Sequence, residues 1–194
     1  MENGEVSEMK RSTRRLIDDH DLILRAIEAI SVEAKNTTDS GNFNESFWID
    51  SIDFIKNYAD GIHHNKEENH LFEMYSQRGI GKEFGPVAVM LNEHIVGRVC
   101  VNNMESALQN GKTDVQKLVS SAREYCELLI QHITKENQIL FPLGETVISD
   151  SDEILLNTLF DDAELELGGN QTILHYQNLV ISLEERAGIV EVVK

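Results

Sequence analysis

Ten residues of this chain occur twice in related form, HHNKEENHLF at 63–72 and HITKENQILF at 132–141. At an offset of 69, His63, Lys66, Glu67, Leu71 and Phe72 fall on His132, Lys135, Glu136, Leu140 and Phe141. A histidine and a glutamate four residues apart share one face of a helix. Each copy therefore asks for a helix that presents an imidazole and a carboxylate together. The repeat extends upstream, because LIDDH (16–20) and MLNEH (90–94) agree in character at every position. The chain thus reads as a helix pair written twice, each half supplying one lone histidine (His20, His94) and one His-x-x-x-Glu (His63 with Glu67, His132 with Glu136).

The helical period continues beyond the motif. Leu16, His20, Ile23, Ile27 and Ile30 recur at three- and four-residue steps and predict a first helix over about 13–34, ended by the polar stretch at 36–42. A second helix is expected over about 45–75, with RGIGKEFG (78–85) as its stop. Pro86 suits the first turn of a third helix, where its missing N–H costs nothing, and Gly111 closes that helix. Thr113 with Gln116 reads as a capping box for a fourth, which Pro142 and Gly144 finish. Shorter helices follow at about 151–166 and, after Gly168 and Gly169, at 171–187. No β alternation is present. The expected fold is all-α: an antiparallel up-down-up-down four-helix bundle over residues 1–150, with a C-terminal helical extension, 151–194, packed on the same domain.

The ionisable pairs fall on the apolar faces of these helices. Leu118, Ala122, Tyr125, Leu129, His132, Glu136 and Ile139 form one stripe, and Val87, Met90, His94, Gly97, Val101, Met104 and Leu108 another. Counted along the helices at 1.5 Å per residue, His20 and His63 lie roughly 22–27 Å from the same end. His94 and His132 stand at similar distances from the turn around Gly111. Four imidazoles and two carboxylates are thus expected to converge in one buried layer. Burying such groups costs several kcal/mol each unless they are paired or bound to metal.

The donor set limits the metal. Structural zinc favours thiolates, and calcium and magnesium favour all-oxygen shells. Imidazole with carboxylate suits iron or manganese. With both glutamates bridging, the protein offers about eight donor bonds to two ions that need about twelve, and a bridging oxo or hydroxo supplies two more. One position on each ion stays open for a small exogenous molecule.

His64 has the same spacing to Glu68, but the second half aligns His132 with His63 and Ile133 with His64, so His64 is expected to flank the site. His70 aligns with Ile139 on the inward face and is expected in the core or beside the ligands. Gly97, one turn from His94, suggests room for a ligand on that side, with close helix packing as the competing reading. Tyr125 and the cysteines Cys100 and Cys126 are read as packing residues, and His175 as a surface residue of the extension. The net charge of −17 argues against nucleic acid or an anionic membrane as partner. The polar opening residues and the absence of a long apolar run suggest a cytoplasmic protein.

The set His20, His63, Glu67, His94, His132 and Glu136, with Leu-Phe after each His-x-x-x-Glu, resembles the hemerythrin-like, or HHE cation-binding, domain over about residues 13–143. The resemblance implies a bundle holding a non-haem di-iron centre with bridging glutamates, for which Mn or Zn could substitute. Oxygen-carrying hemerythrins have five histidines, two of them as His-x-x-x-His on the third helix, and a final aspartate. Here Arg98 and Glu136 take those places, and the symmetric pattern is more similar to the di-iron domain of iron–sulfur cluster repair proteins. The short cysteine-bearing domain usual in those proteins is missing from the sequence. The implied function is binding or sensing of O₂, NO or peroxide at open iron positions. The alternatives are iron storage or donation to a protein partner in cluster repair, and di-iron oxidase or peroxidase turnover. A signalling partner is a further expectation of the sensing reading.

Overall fold

The computed structural model describes residues 9–108 and 113–189. Among the described residues every element is helical, and the elements join into six helices. Helix α1 (Arg11–Ser40) runs beyond its expected end because nothing in the polar 36–40 stretch breaks it. Gly41 does, taking the left-handed conformation (φ 72°) while its N–H bonds to the Thr37 carbonyl. Helix α2 covers residues 45–77, opened by the Asn44 side chain accepting from the Phe47 N–H. Pro86 starts α3 (Pro86–Ala107) as expected. Gly111, assigned to close it, lies outside the described residues.

Helix α4 covers residues 115–145 and departs from expectation at both ends. Its cap is Asp114, whose carboxylate accepts from the Lys117 N–H, in place of the Thr113–Gln116 box. Pro142 does not end it either. It enters the first turn after a local widening of the helix, where a missing N–H is tolerated, and the helix continues to Glu145. Helix α5 (Asp150–Glu166) begins with a capping box between Ser149 and Asp152, and α6 (Gly169–Ala187) follows.

Pairs of side chains fix how the helices lie. Along α1 and α4 the contacts run from Lys10–Glu145 through His20–Asn137 and Ile27–Cys126 to Thr38–Arg123, so the two helices have opposite senses. Lys56–Glu105 with Asp60–Arg98 sets α2 against α3 in the same manner, and Ser106–Lys117 with Glu93–His132 sets α3 against α4. The last two helices pack on α1, tied by Ser12–Glu153 and Arg25–Glu184. They also complete the interior. Tyr176, Val180, Leu183 and Ala187 join the larger apolar cluster, and Leu156 and Phe160 join the smaller.

The two clusters determine where polar groups can sit. Along α1, Leu16 belongs to the smaller cluster and Ile23 to the larger, with His20 between them. The same division holds between Ile62 and Leu71 in α2, Met90 and Cys100 in α3, and Leu129 and Leu140 in α4. Every expected donor falls in that interval. A polar layer is sealed between two apolar ones.

Candidate metal centre

The layer gathers all six expected donors, none more than 2% exposed: His20, His63, Glu67, His94, His132 and Glu136. Their donor atoms fall into two groups. His20, His63, Glu67 and Glu136 offer atoms within 4.8 Å of one another, and so do His64, Glu67, His94 and His132. Glu67 is common to both. Its Oε1 lies 3.5 Å from His63 Nε2 and its Oε2 3.6 Å from His94 Nε2, one imidazole from each group. Glu136 Oε2 likewise stands 3.2 Å from His20 Nε2 and 3.3 Å from His132 Nε2. Each carboxylate therefore spans the two groups.

The inner atoms have few protein partners. Both oxygens of Glu67 and of Glu136, and the Nε2 atoms of His20 and His64, are buried without a hydrogen bond. Buried polar atoms are rarely left so, because each unsatisfied group costs about 1–3 kcal/mol. A cation between them removes that cost. The donors are all nitrogen and oxygen, and the buried free thiols Cys100 and Cys126 lie outside both groups. That chemistry fits iron or manganese better than structural zinc.

Behind each imidazole an acceptor holds Nδ1, which fixes the tautomer and turns Nε2 inward. Asp19 holds His63 at 3.3 Å and Glu93 holds His132 at 2.9 Å. These acids directly precede the lone histidines His20 and His94 in the chain, so each half orients its own His-x-x-x-Glu. The lone histidines are held from the opposite half. Asn137, which follows Glu136, meets His20 at 2.8 Å, and Glu68, which follows Glu67, meets His94 at 2.7 Å.

This lattice accounts for the rest of the repeated motif. Lys66 bonds Asp19 at 2.6 Å and Lys135 bonds Glu93, so the lysine three places after each histidine pins the acid that orients it. The repeated phenylalanines face the lone histidines across the halves. Phe141 stacks on His20 at 5.6 Å, and Phe72 on His94 at 6.2 Å. Asp19, Glu93, Glu68, Asn137 and the lysines were visible in the aligned repeats, but sequence spacing alone did not assign them these partners.

Backbone geometry explains how a Leu-Phe pair can face inward one turn after the glutamate. In both copies the helix widens into a π turn, Glu67–Leu71 and Glu136–Leu140, closed by Phe72 N–H to Glu67 O and Phe141 N–H to Glu136 O. The extra residue in the turn shifts the face. Leu71, Phe72, Leu140 and Phe141 become buried, while Ile139, expected inside, is 57% exposed. His70 moves with it. It lies half-buried against Phe160 of α5, 6.3 Å between rings, and outside both donor groups.

Burial dominates the electrostatics. It pushes the Glu67 and Glu136 carboxyls well above the ordinary range, Glu136 adding to the effect on Glu67. It holds His20, His63 and His132 below the usual imidazole value, and His64 down to about 4. Without a cation, burial favours the neutral forms of Glu67, Glu136, His20, His63, His64 and His132.

His64, expected beside the site, is buried with its Nε2 turned toward it. A cavity of about 280 Å³ opens at its side, lined by His64, His94, Gly97, Tyr125 and His132 at depth and by exposed Lys56 and Asn102 outside. A Cβ on Gly97 would meet Tyr125 at 3.6 Å, an ordinary contact, so helix packing does not demand a glycine there. The Tyr125 hydroxyl is buried without a partner. His175 is exposed on α6.

The family described as hemerythrin HHE cation binding domain matches residues 7–144. No curated protein and no solved structure matches the chain. None of the helices among the described residues is long and apolar enough to cross a membrane.

Proposed function

The chain belongs to the hemerythrin HHE cation-binding domain family, and from that membership we propose that it holds two iron ions and uses them to bind or sense a small redox ligand such as O₂, NO or peroxide. His20 and His63 hold one ion, His94 and His132 the other, and Glu67 and Glu136 lie between them. The single observation carrying this reading is the pair of buried donor groups that share Glu67, with inner oxygen and nitrogen atoms left unpartnered. Iron, when bound, supplies the redox chemistry and open positions for an exogenous ligand.

The protein's own contribution is positional. The acceptors behind each Nδ1 keep the imidazoles oriented and their Nε2 lone pairs inward. Glu67 and Glu136 give up their protons as a cation enters, so loading is coupled to proton release. The apolar clusters on either side of the layer keep bulk water away. The cavity beside Gly97 gives a diatomic or peroxide a route from the surface, and the Tyr125 hydroxyl lining it can donate to what arrives.

The test is metal analysis of anaerobically purified protein, followed by optical spectra on adding O₂ and NO. About two irons per chain and a stable new absorption with either gas are expected. Repeated consumption of peroxide would instead indicate an oxidase or peroxidase, and progressive loss of iron to an apo-acceptor would indicate donation. A single ion held by four of the residues would overturn the dinuclear reading.

A further inference from the structure

Resting on the two-iron reading, we propose that His64 is a third imidazole ligand of the ion held by His94 and His132, which makes the two metal positions chemically unequal. Its donor nitrogen lies in the same 4.8 Å group as those of Glu67, His94 and His132. The residue is 5% exposed, and its Nε2 is buried with no partner. A packing histidine in such surroundings would pair both nitrogens. Here only Nδ1 is paired.

That pairing repeats the construction seen at the other four imidazoles. Asp60 meets His64 Nδ1 at 3.1 Å, and Arg98 pins Asp60 with two short contacts, 2.8 Å from Nε and 2.7 Å from Nη2. The ring is also held flat against His94, 3.8 Å between centroids at 19°. An acid behind Nδ1 and a cation behind the acid are the arrangement that His63 and His132 have. Two adjacent residues can both face the interior because Ile55–His64 is itself a π segment, with more residues in each turn.

The second half has no equivalent, since Ile133 occupies the aligned position and belongs to the larger apolar cluster. The asymmetry is therefore written into the chain. One ion has the imidazoles of His20 and His63, and the other those of His64, His94 and His132. His64 also lines the cavity, so it stands between the entry route and the ion nearest to it. It takes a position on that ion which a ligand arriving through the cavity would otherwise reach, and removing His64 opens that position.

The test compares wild type with His64→Gly and with His64→Gln, which retains bulk and a donor toward Asp60, all loaded anaerobically with ⁵⁷Fe. Wild type is expected to give two quadrupole doublets of equal area. Both variants should bind the second iron roughly tenfold or more weakly, with one doublet altered. Imidazole added to His64→Gly should enter the vacated space and restore the wild-type doublets, which a packing role would not allow. Circular dichroism verifies the fold, and the glutamine variant keeps the test standing if the glycine variant does not fold. Two irons at wild-type affinity with unchanged doublets in both variants would overturn the assignment and leave the dinuclear reading intact. A wild type that holds no iron pair would remove both.

Discussion

A histidine ligand is only as good as the atom behind it, and here those atoms differ in how much they also hold the fold. Asp19→Asn and Glu93→Gln remove the charge behind His63 and His132 while keeping a polar group in place. Each is expected to weaken iron binding about 10- to 100-fold with little change in helicity, read by competition with a chelator. The lysines behind the same acids separate. Lys66 is 1% exposed, bonds Asp19 and Glu164 at 2.6 and 2.9 Å, and lies 5.8 Å from the Phe160 ring. Lys66→Met leaves the mostly buried Asp19 with only the Tyr58 hydroxyl and the His63 ring, while Glu164 keeps Arg15, and is expected to cost about 3 kcal/mol in urea unfolding. Lys135, a third exposed, has one acid and water. Its replacement by Met should cost no more than about 1 kcal/mol. If the two variants unfolded at the same urea concentration, the link from His63 through Lys66 to α5 would carry no stability.

At the scale of the helix, the repeated π turn is the device that lets one motif serve both as donor and as floor. Inserting an alanine after the exposed Gln138 adds a residue beyond the one the π turn takes up and turns everything after it by about 100°. Phe141 then leaves His20 and Leu140 leaves the smaller cluster. The expected result is near-normal helicity with iron reduced to less than half, measured by circular dichroism and metal analysis on the same sample. This feature also marks where the sequence stopped being legible. Helix period and repeat alignment were enough to find the helical elements and bring His20, His63, Glu67, His94, His132 and Glu136 to one layer. Both copies carry the widening, so the offset of 69 holds without a gap and comparing them cancels the irregularity. Carrying the ordinary period through it put Ile139 and His70 inside. His64 is given only a flanking place by the sequence for the opposite reason. Its aligned partner is isoleucine, and a reading built on symmetry has no means of weighting a residue present in one half only.

Taken as a whole, the molecule buries a set of groups that can be neutral together only without metal, and this sets how its stability responds to pH. In the metal-free protein Glu67 and Glu136 are held above the ordinary carboxyl range. Above about pH 4.3 the unfolded chain has released protons that the folded one retains, so raising the pH favours unfolding. His20, His63, His64 and His132 are shifted downward and act in the other direction. Below about pH 6.5 the unfolded chain takes up protons that these buried rings refuse, so acidification also favours unfolding. Each group contributes at most about 1.4 kcal/mol per pH unit, and where both sets act the four imidazoles outweigh the two carboxyls. Chelated protein should therefore be most stable near pH 6–7 and lose several degrees of melting temperature by pH 8.5. Iron removes the alkaline dependence, because bound glutamates are already ionised and bound imidazoles already unprotonated. The loaded protein should hold a nearly constant melting temperature over the same alkaline interval. Loading at pH 7 should release about two protons per chain, measurable with a pH indicator in weak buffer. Release of none would mean that the two glutamates are ionised beforehand, and the alkaline decline of the chelated protein would then be absent as well.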